Sequence, residues 1–228
     1  MDKKQNFIKD ISAIVRKDAT LEFQTREVIS SMLVFALLMV VVFSFIFEPG
    51  EHEQQRIAGG VYWMALVFAG LLGLGKSMLN ETSGGNLEAL LLTPANRNAI
   101  FLGKVFSNFL FMLLLQAFML PLFVILYEVN LLSHPIMLVV ILASTYGFVL
   151  LGTLFSLIAA RSRTREIMLP LLLLPVLVPI LLASIQATNS IAAGAEITYY
   201  IKWIRLIIVY NIIFTAISLV IFDPIVEE

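Results

Sequence analysis

Two stretches of this sequence have the spacing of phosphate chemistry. Gly70-Leu-Leu-Gly-Leu-Gly-Lys-Ser77 satisfies G-x-x-x-x-G-K-[ST], in which backbone amides cradle phosphates while the lysine and hydroxyl serve the outer phosphate and its Mg²⁺. Leu219-Val-Ile-Phe-Asp223 has the apolar run and closing aspartate of the strand that accompanies such a loop. The loop cradles phosphate only between a strand and a helix of an α/β unit. Here it lies inside an apolar stretch, and no segment supplies amphipathic helices to flank a parallel sheet, so nucleotide binding is rejected. His52 and His134 are the two histidines; both fall in predicted loops on one side of the membrane, where paired imidazoles can hold a metal or haem iron. The plainer alternative is two unconnected loop residues. No carboxylate pair, His/Glu cluster or nucleophile with a base lies at membrane depth, which leaves intramembrane catalysis and proton-coupled transport without their groups. Cysteine is absent, so thiolate metal sites, disulfides and Cys-linked haem are excluded, and no bound metal or cofactor is expected.

The elements that would position these residues are membrane helices. The chain is 60% hydrophobic and 14% charged, against about 45–50% and about 25% for soluble domains. A net charge of −1 offers no basic field for nucleic acid. Runs of about 20 apolar residues cross a bilayer, and six qualify: Ile29–Phe47, Ile57–Leu79, Ala99–Tyr127, Ile136–Ala160, Ile167–Ile185 and Tyr199–Phe222. The fold class is therefore all-α, a single polytopic membrane domain over residues 1–228. Pro170, Pro175 and Pro179 in the fifth run predict more than one break in its hydrogen-bond ladder. Of the 15 lysines and arginines, all but Arg56, Lys202 and Arg205 fall on the side of the N-terminus, which places both termini in the cytoplasm.

Residues 1–28 read as an interfacial elbow helix: Phe7, Ile8, Ile11, Ile14, Val15 and Leu21 recur at helical spacing, with Lys9, Arg16 and Lys17 on the polar side. Such a helix lies against membrane lipid. Glu22 and Arg26, four apart, can pair where the chain turns into the bilayer. Residues 186–198, rich in small residues and too short to span, read as an external re-entrant or interfacial element. Ala65, Ala69, Gly73 and Ser77 in the second run, and Gly152, Ser156 and Ala160 in the fourth, form small-residue stripes that permit close helix contact. Lys76 is read as snorkelling to the cytoplasmic interface.

Between the second and third runs lies Glu81-Thr-Ser-Gly-Gly-Asn-Leu-Glu-Ala-Leu-Leu-Leu-Thr-Pro94. Gly84 and Gly85 give it a flexible start, Leu87, Leu90, Leu91 and Leu92 an apolar face, Glu81 and Glu88 a polar one, and Pro94 a stop. A short helix of this kind either dips into the interface or sets its leucines into a partner's groove.

The pattern of Glu81, Gly85, Leu87, Glu88, Leu90, Leu91 and Pro94, followed by Arg97 and Gly103-Lys104, resembles the cytoplasmic loop of ABC-2 exporter permeases. With Lys17-Asp18, Leu21-Glu22 and Arg26-Glu27 before the first span and Gly60-Val-Tyr-Trp63 in the second, the whole chain is similar to the CcmB-type permeases of haem export in cytochrome c maturation. The resemblance implies that residues 81–94 are a coupling helix docking on a separate CcmA-type ABC ATPase, so that ATP acts through that subunit and this chain is no enzyme. It also implies CcmC- and CcmD-type membrane subunits, a haem chaperone served indirectly, haem in the complex, a second copy of the chain as a further candidate partner, and the bacterial inner membrane. Two alternatives stay open: an ABC-2 permease for a drug, lipid or polysaccharide, and a scaffold that recruits the ATPase without transport.

Overall fold

The computed structural model describes residues 2–46, 52–82, 92–93, 96–127, 134–160 and 165–227. Seven helices are found among them: α1 (Asp2–Thr25), α2 (Glu27–Ile46), α3 (His52–Thr82), α4 (Arg97–Tyr127), α5 (Pro135–Ala160), α6 (Arg165–Ala192) and α7 (Ile197–Glu227). Six of them, α2 to α7, contain segments long and apolar enough to cross a membrane. The chain is an all-helical, multi-pass membrane protein.

Helix ends follow local chemistry. The chain turns between α1 and α2 at Arg26, whose φ is +55°, and the Arg26 N–H closes the corner on the Glu22 carbonyl at 2.7 Å. Asn96 caps α4 by accepting the Asn98 N–H at 2.9 Å. Pro135 occupies the first position of α5, where its missing N–H costs nothing. Gly194, at φ +67°, ends α6. Its N–H reaches the Ile191 carbonyl and that of Ala195 the Ser190 carbonyl, both at 3.0 Å, a paired left-handed cap.

One expectation is corrected here. Residues 186–198 form no separate element, because α6 runs unbroken to Ala192 and α7 begins at Ile197. The small residues there include alanine, the best helix former, and the stop comes only at Gly194. Pro170, Pro175 and Pro179 lie inside α6, where each lacks the N–H of its ladder bond, yet the helix continues through all three. In the same stretch the Tyr210 hydroxyl of α7 donates to the Val176 carbonyl at 2.6 Å.

Helices α3 and α5 form the centre and bury most of their length, whereas α2 and α7 present wide apolar faces outward. A Cβ on Gly73 would strike Met32 of α2, and one on Gly152 would strike Leu74. Neutral hydrogen bonds stitch the same core: Asn108 to Thr153 at 3.0 Å, Gln116 to Thr145 at 2.6 Å and Ser184 to Ser144 at 2.6 Å. At the end of the bundle away from α1, the Trp63 indole donates to Thr188 at 2.9 Å, Tyr62 meets Phe123 edge-to-face and Phe123 stacks on Tyr127.

Candidate functional site

A buried ion cluster gathers where α1 crosses α3 and α4. Lys104, in the second turn of α4, donates to both oxygens of Asp18 on α1 at 2.9 Å and lies 2.6 Å from Glu81 near the end of α3. Lys17 stands 3.0 Å from Glu81 and 3.1 Å from Asp18. Asp18, Glu81 and Lys104 are all buried, and Lys17 is partly exposed. Two carboxylates and two ammoniums thus neutralise one another. The Glu81–Lys104 contact ties the two ends of the 83–96 connection together, and Asp18 and Lys17 fasten α1 to that knot.

The sequence builds this crossing from a few residues. Ile14, Asp18 and Glu22 recur every four residues, so they share one face of α1, and all three are buried. Gly103 admits that face: a Cβ there would sit 2.9 Å from the Ile14 Cβ. The next residue, Lys104, then meets Asp18. The Gly103-Lys104 pair is therefore one device, a close approach followed by a cation. Burial pulls the Lys17 ammonium down, but the Asp18 and Glu81 carboxylates outweigh it and raise the pKa above the usual 10.5.

Among the residues of the expected coupling segment, Glu81 lies in this cluster. Leu92 is in a turn with 87% of its surface exposed, and Arg97 opens α4. Gly84, Gly85, Leu87, Glu88, Leu90, Leu91 and Pro94 lie outside the described residues. Lys17 of the elbow set joins the cluster, but Glu22 and Arg26 do not pair. The Glu22 carboxylate accepts the Ile29 N–H at 2.7 Å and caps α2, because the left-handed turn at Arg26 carries the chain off the helix that a four-residue spacing assumes. Gly70–Ser77 is helical throughout, which leaves no phosphate-cradling loop. Lys76 donates to Ser31 at 3.1 Å and to the Glu27 carbonyl at 3.3 Å, and Ser77 donates to Asn108 at 3.2 Å. His134 is exposed beside the start of α5, His52 begins α3, and no three potential metal-binding side chains cluster among the described residues.

Asp18 and Lys104 are the ion pair that sequence reasoning passed over. The available signals were an acid on the Ile11–Ile14 face of α1 and a cation inside the apolar run of α4.

The same chain-wide pattern appears in known proteins. The family model described as CcmB protein matches residues 9–223. Heme exporter protein B of Pseudomonas aeruginosa is 25% identical over 193 residues, covering 85% of this chain and 86% of that protein. Its namesake in Rhodobacter capsulatus is 25% identical over 185 residues, covering 81% and 85%. That of Haemophilus influenzae is 23% identical over 186 residues, covering 82% and 83%. With the match running through all six membrane helices and both sides of the ion cluster, the chain belongs to the CcmB protein family.

Proposed function

We propose that this chain is the permease subunit of an ATP-binding cassette complex for haem export in c-type cytochrome biogenesis, driven by a separate ATPase. Family membership supports the cargo and pathway. The observation that carries the mechanism is the buried Asp18–Lys104–Glu81 knot at the base of the 81–94 segment, because a push on that segment reaches α1, α3 and α4 together. In this reading Leu87, Leu90, Leu91 and Leu92 dock on the ATPase, Gly84 and Gly85 let the segment tilt, and the chain itself performs no chemistry. The distribution of Lys and Arg supports cytoplasmic termini, hence the inner membrane and the side where ATP is available. CcmC- and CcmD-type subunits complete the assembly and handle haem with the chaperone.

Leu92 supplies the test. A large apolar side chain with 87% exposure contributes little to the fold, so Leu92→Glu should leave membrane insertion and thermal stability unchanged. It should lose the ATPase on affinity purification in mild detergent, and c-type cytochromes should disappear as they do on deletion. Undiminished ATPase in that purification would sink the docking role, and normal c-type cytochromes in a deletion strain would sink the pathway.

A further inference from the structure

A cavity of about 280 Å³ opens between α3, α5 and α6, toward the same end of the bundle as the ion cluster. Its walls are apolar: Leu71, Met78, Leu79, Ala159 and Leu169 contribute, and Ser156 adds one hydroxyl that already donates to the Thr153 carbonyl at 2.8 Å. Leu72 lines the cavity and is 46% exposed. Leu171 of α6, just beyond the lining residues Leu169 and Pro170, is exposed as well. The mouth therefore continues the outward apolar surface of a membrane helix bundle. Lys76 also lines it. Its ammonium meets only neutral oxygens among the described residues, Ser31 Oγ and the Glu27 carbonyl, whereas Lys17 and Lys104 each have carboxylates.

A cation that meets only neutral oxygens among the described residues, at the rim of an apolar cavity facing lipid, calls for a ligand with an apolar chain and an anionic head. We propose that the cavity binds an anionic phospholipid of the surrounding bilayer, with one acyl chain between α3 and α6 and its phosphate on Lys76. The volume lies just under the range of small-molecule pockets, about 300–1,000 Å³, which suits one chain. Gly75 keeps the space open. A Cβ there meets only Leu169 Cδ2 at 3.7 Å, so a larger side chain at 75 enters the cavity without striking backbone.

The test is lipid retention by the full chain, purified from mixed phosphatidylglycerol and phosphatidylethanolamine and read by native mass spectrometry, with thermal unfolding as the check on folding. The native protein and Lys76→Arg should retain phosphatidylglycerol preferentially. Lys76→Gln should lose that preference by at least about fivefold, and Gly75→Leu should retain less of both lipids. Equal retention of the two lipids by the native protein, or an unchanged preference in Lys76→Gln, overturns the proposal. So does retention of a free fatty acid or of haem in place of phospholipid. None of these outcomes depends on the ATPase, so a failure here is distinct from a failure of the coupling role.

Discussion

Lys104→Met isolates the energetics of the ion cluster. It removes the ammonium that faces three carboxylate oxygens, Asp18 Oδ1 and Oδ2 at 2.9 Å and Glu81 Oε1 at 2.6 Å. The Asp18 and Glu81 side chains are only 9% and 8% exposed, so water cannot replace what is lost. Removing one partner of a buried pair costs about 3–5 kcal/mol. Lys17 remains within 3.1 Å of both acids, but it is partly solvated and screens them incompletely. The loss should therefore sit near the lower end, about 3 kcal/mol. At about 2–4 °C per kcal/mol for a chain of this size, the apparent Tm in detergent should fall by about 6–12 °C. Adding Asp18→Asn and Glu81→Gln should restore most of that loss, since neutral replacement of a buried ion group is often close to neutral in stability. The restored triple variant should still fail to mature c-type cytochromes, because the charges that tie the loop ends to α1 are then gone. Two results would refute the reasoning: an unchanged Tm in Lys104→Met, or losses that simply add in the triple variant.

Other substitutions separate rigid from yielding contacts. Gly103→Ala places its methyl 2.9 Å from a Cβ fixed to the α1 backbone and should cost about 1–3 kcal/mol. Gly73→Ala meets the flexible Met32 side chain and should cost less than about 1 kcal/mol; equal shifts in thermal unfolding would contradict this. Arg26 holds φ +55°, so Arg26→Gly should be neutral or stabilising and Arg26→Val should lose about 1 kcal/mol, with the reverse order counting against the corner. The raised pKa of Lys17 means its contribution is complete below the unfolded value of 10.5 and vanishes as pH rises through the higher folded value. Native protein should lose Tm above that pH more steeply than Lys17→Gln, and parallel profiles would exclude the effect.

The membrane helices were legible because bilayer spanning demands long apolar runs, and nothing else in a chain of this composition looks like them. Their ends were less so: α3 carries on through Lys76 and Glu81 to Thr82, because those charges find partners inside the protein. The ion cluster was legible only as scattered residues. Asp18 and Lys104 are 86 positions apart, and α1 alone shows only an acid on its apolar face without the partner that it meets. The pairing becomes readable only with Ile14 and Gly103, whose contact sets where the helices cross. Glu22 shows the opposite failure, since a local spacing rule was applied across a corner. At the end of α6, counting small residues suggested a break that alanine does not make.

The cluster also sets where a load on the 81–94 segment would enter the bundle under the proposed coupling role. Helices α1, α3 and α4 are joined by charges whose separation costs several kcal/mol, about 3–5 for a buried pair. The contacts from α3 and α4 to α5 and α6 include neutral bonds such as Asn108–Thr153, Gln116–Thr145 and Trp63–Thr188, worth about 0.6 kcal/mol each on average within membranes. Under the proposed coupling role, a force applied at the 81–94 segment would pass through Glu81 and Lys104 into α1, α3 and α4 together. Neutralising the cluster should then abolish transmission even where stability is restored, which is why the triple variant discriminates a lever from a mere structural brace.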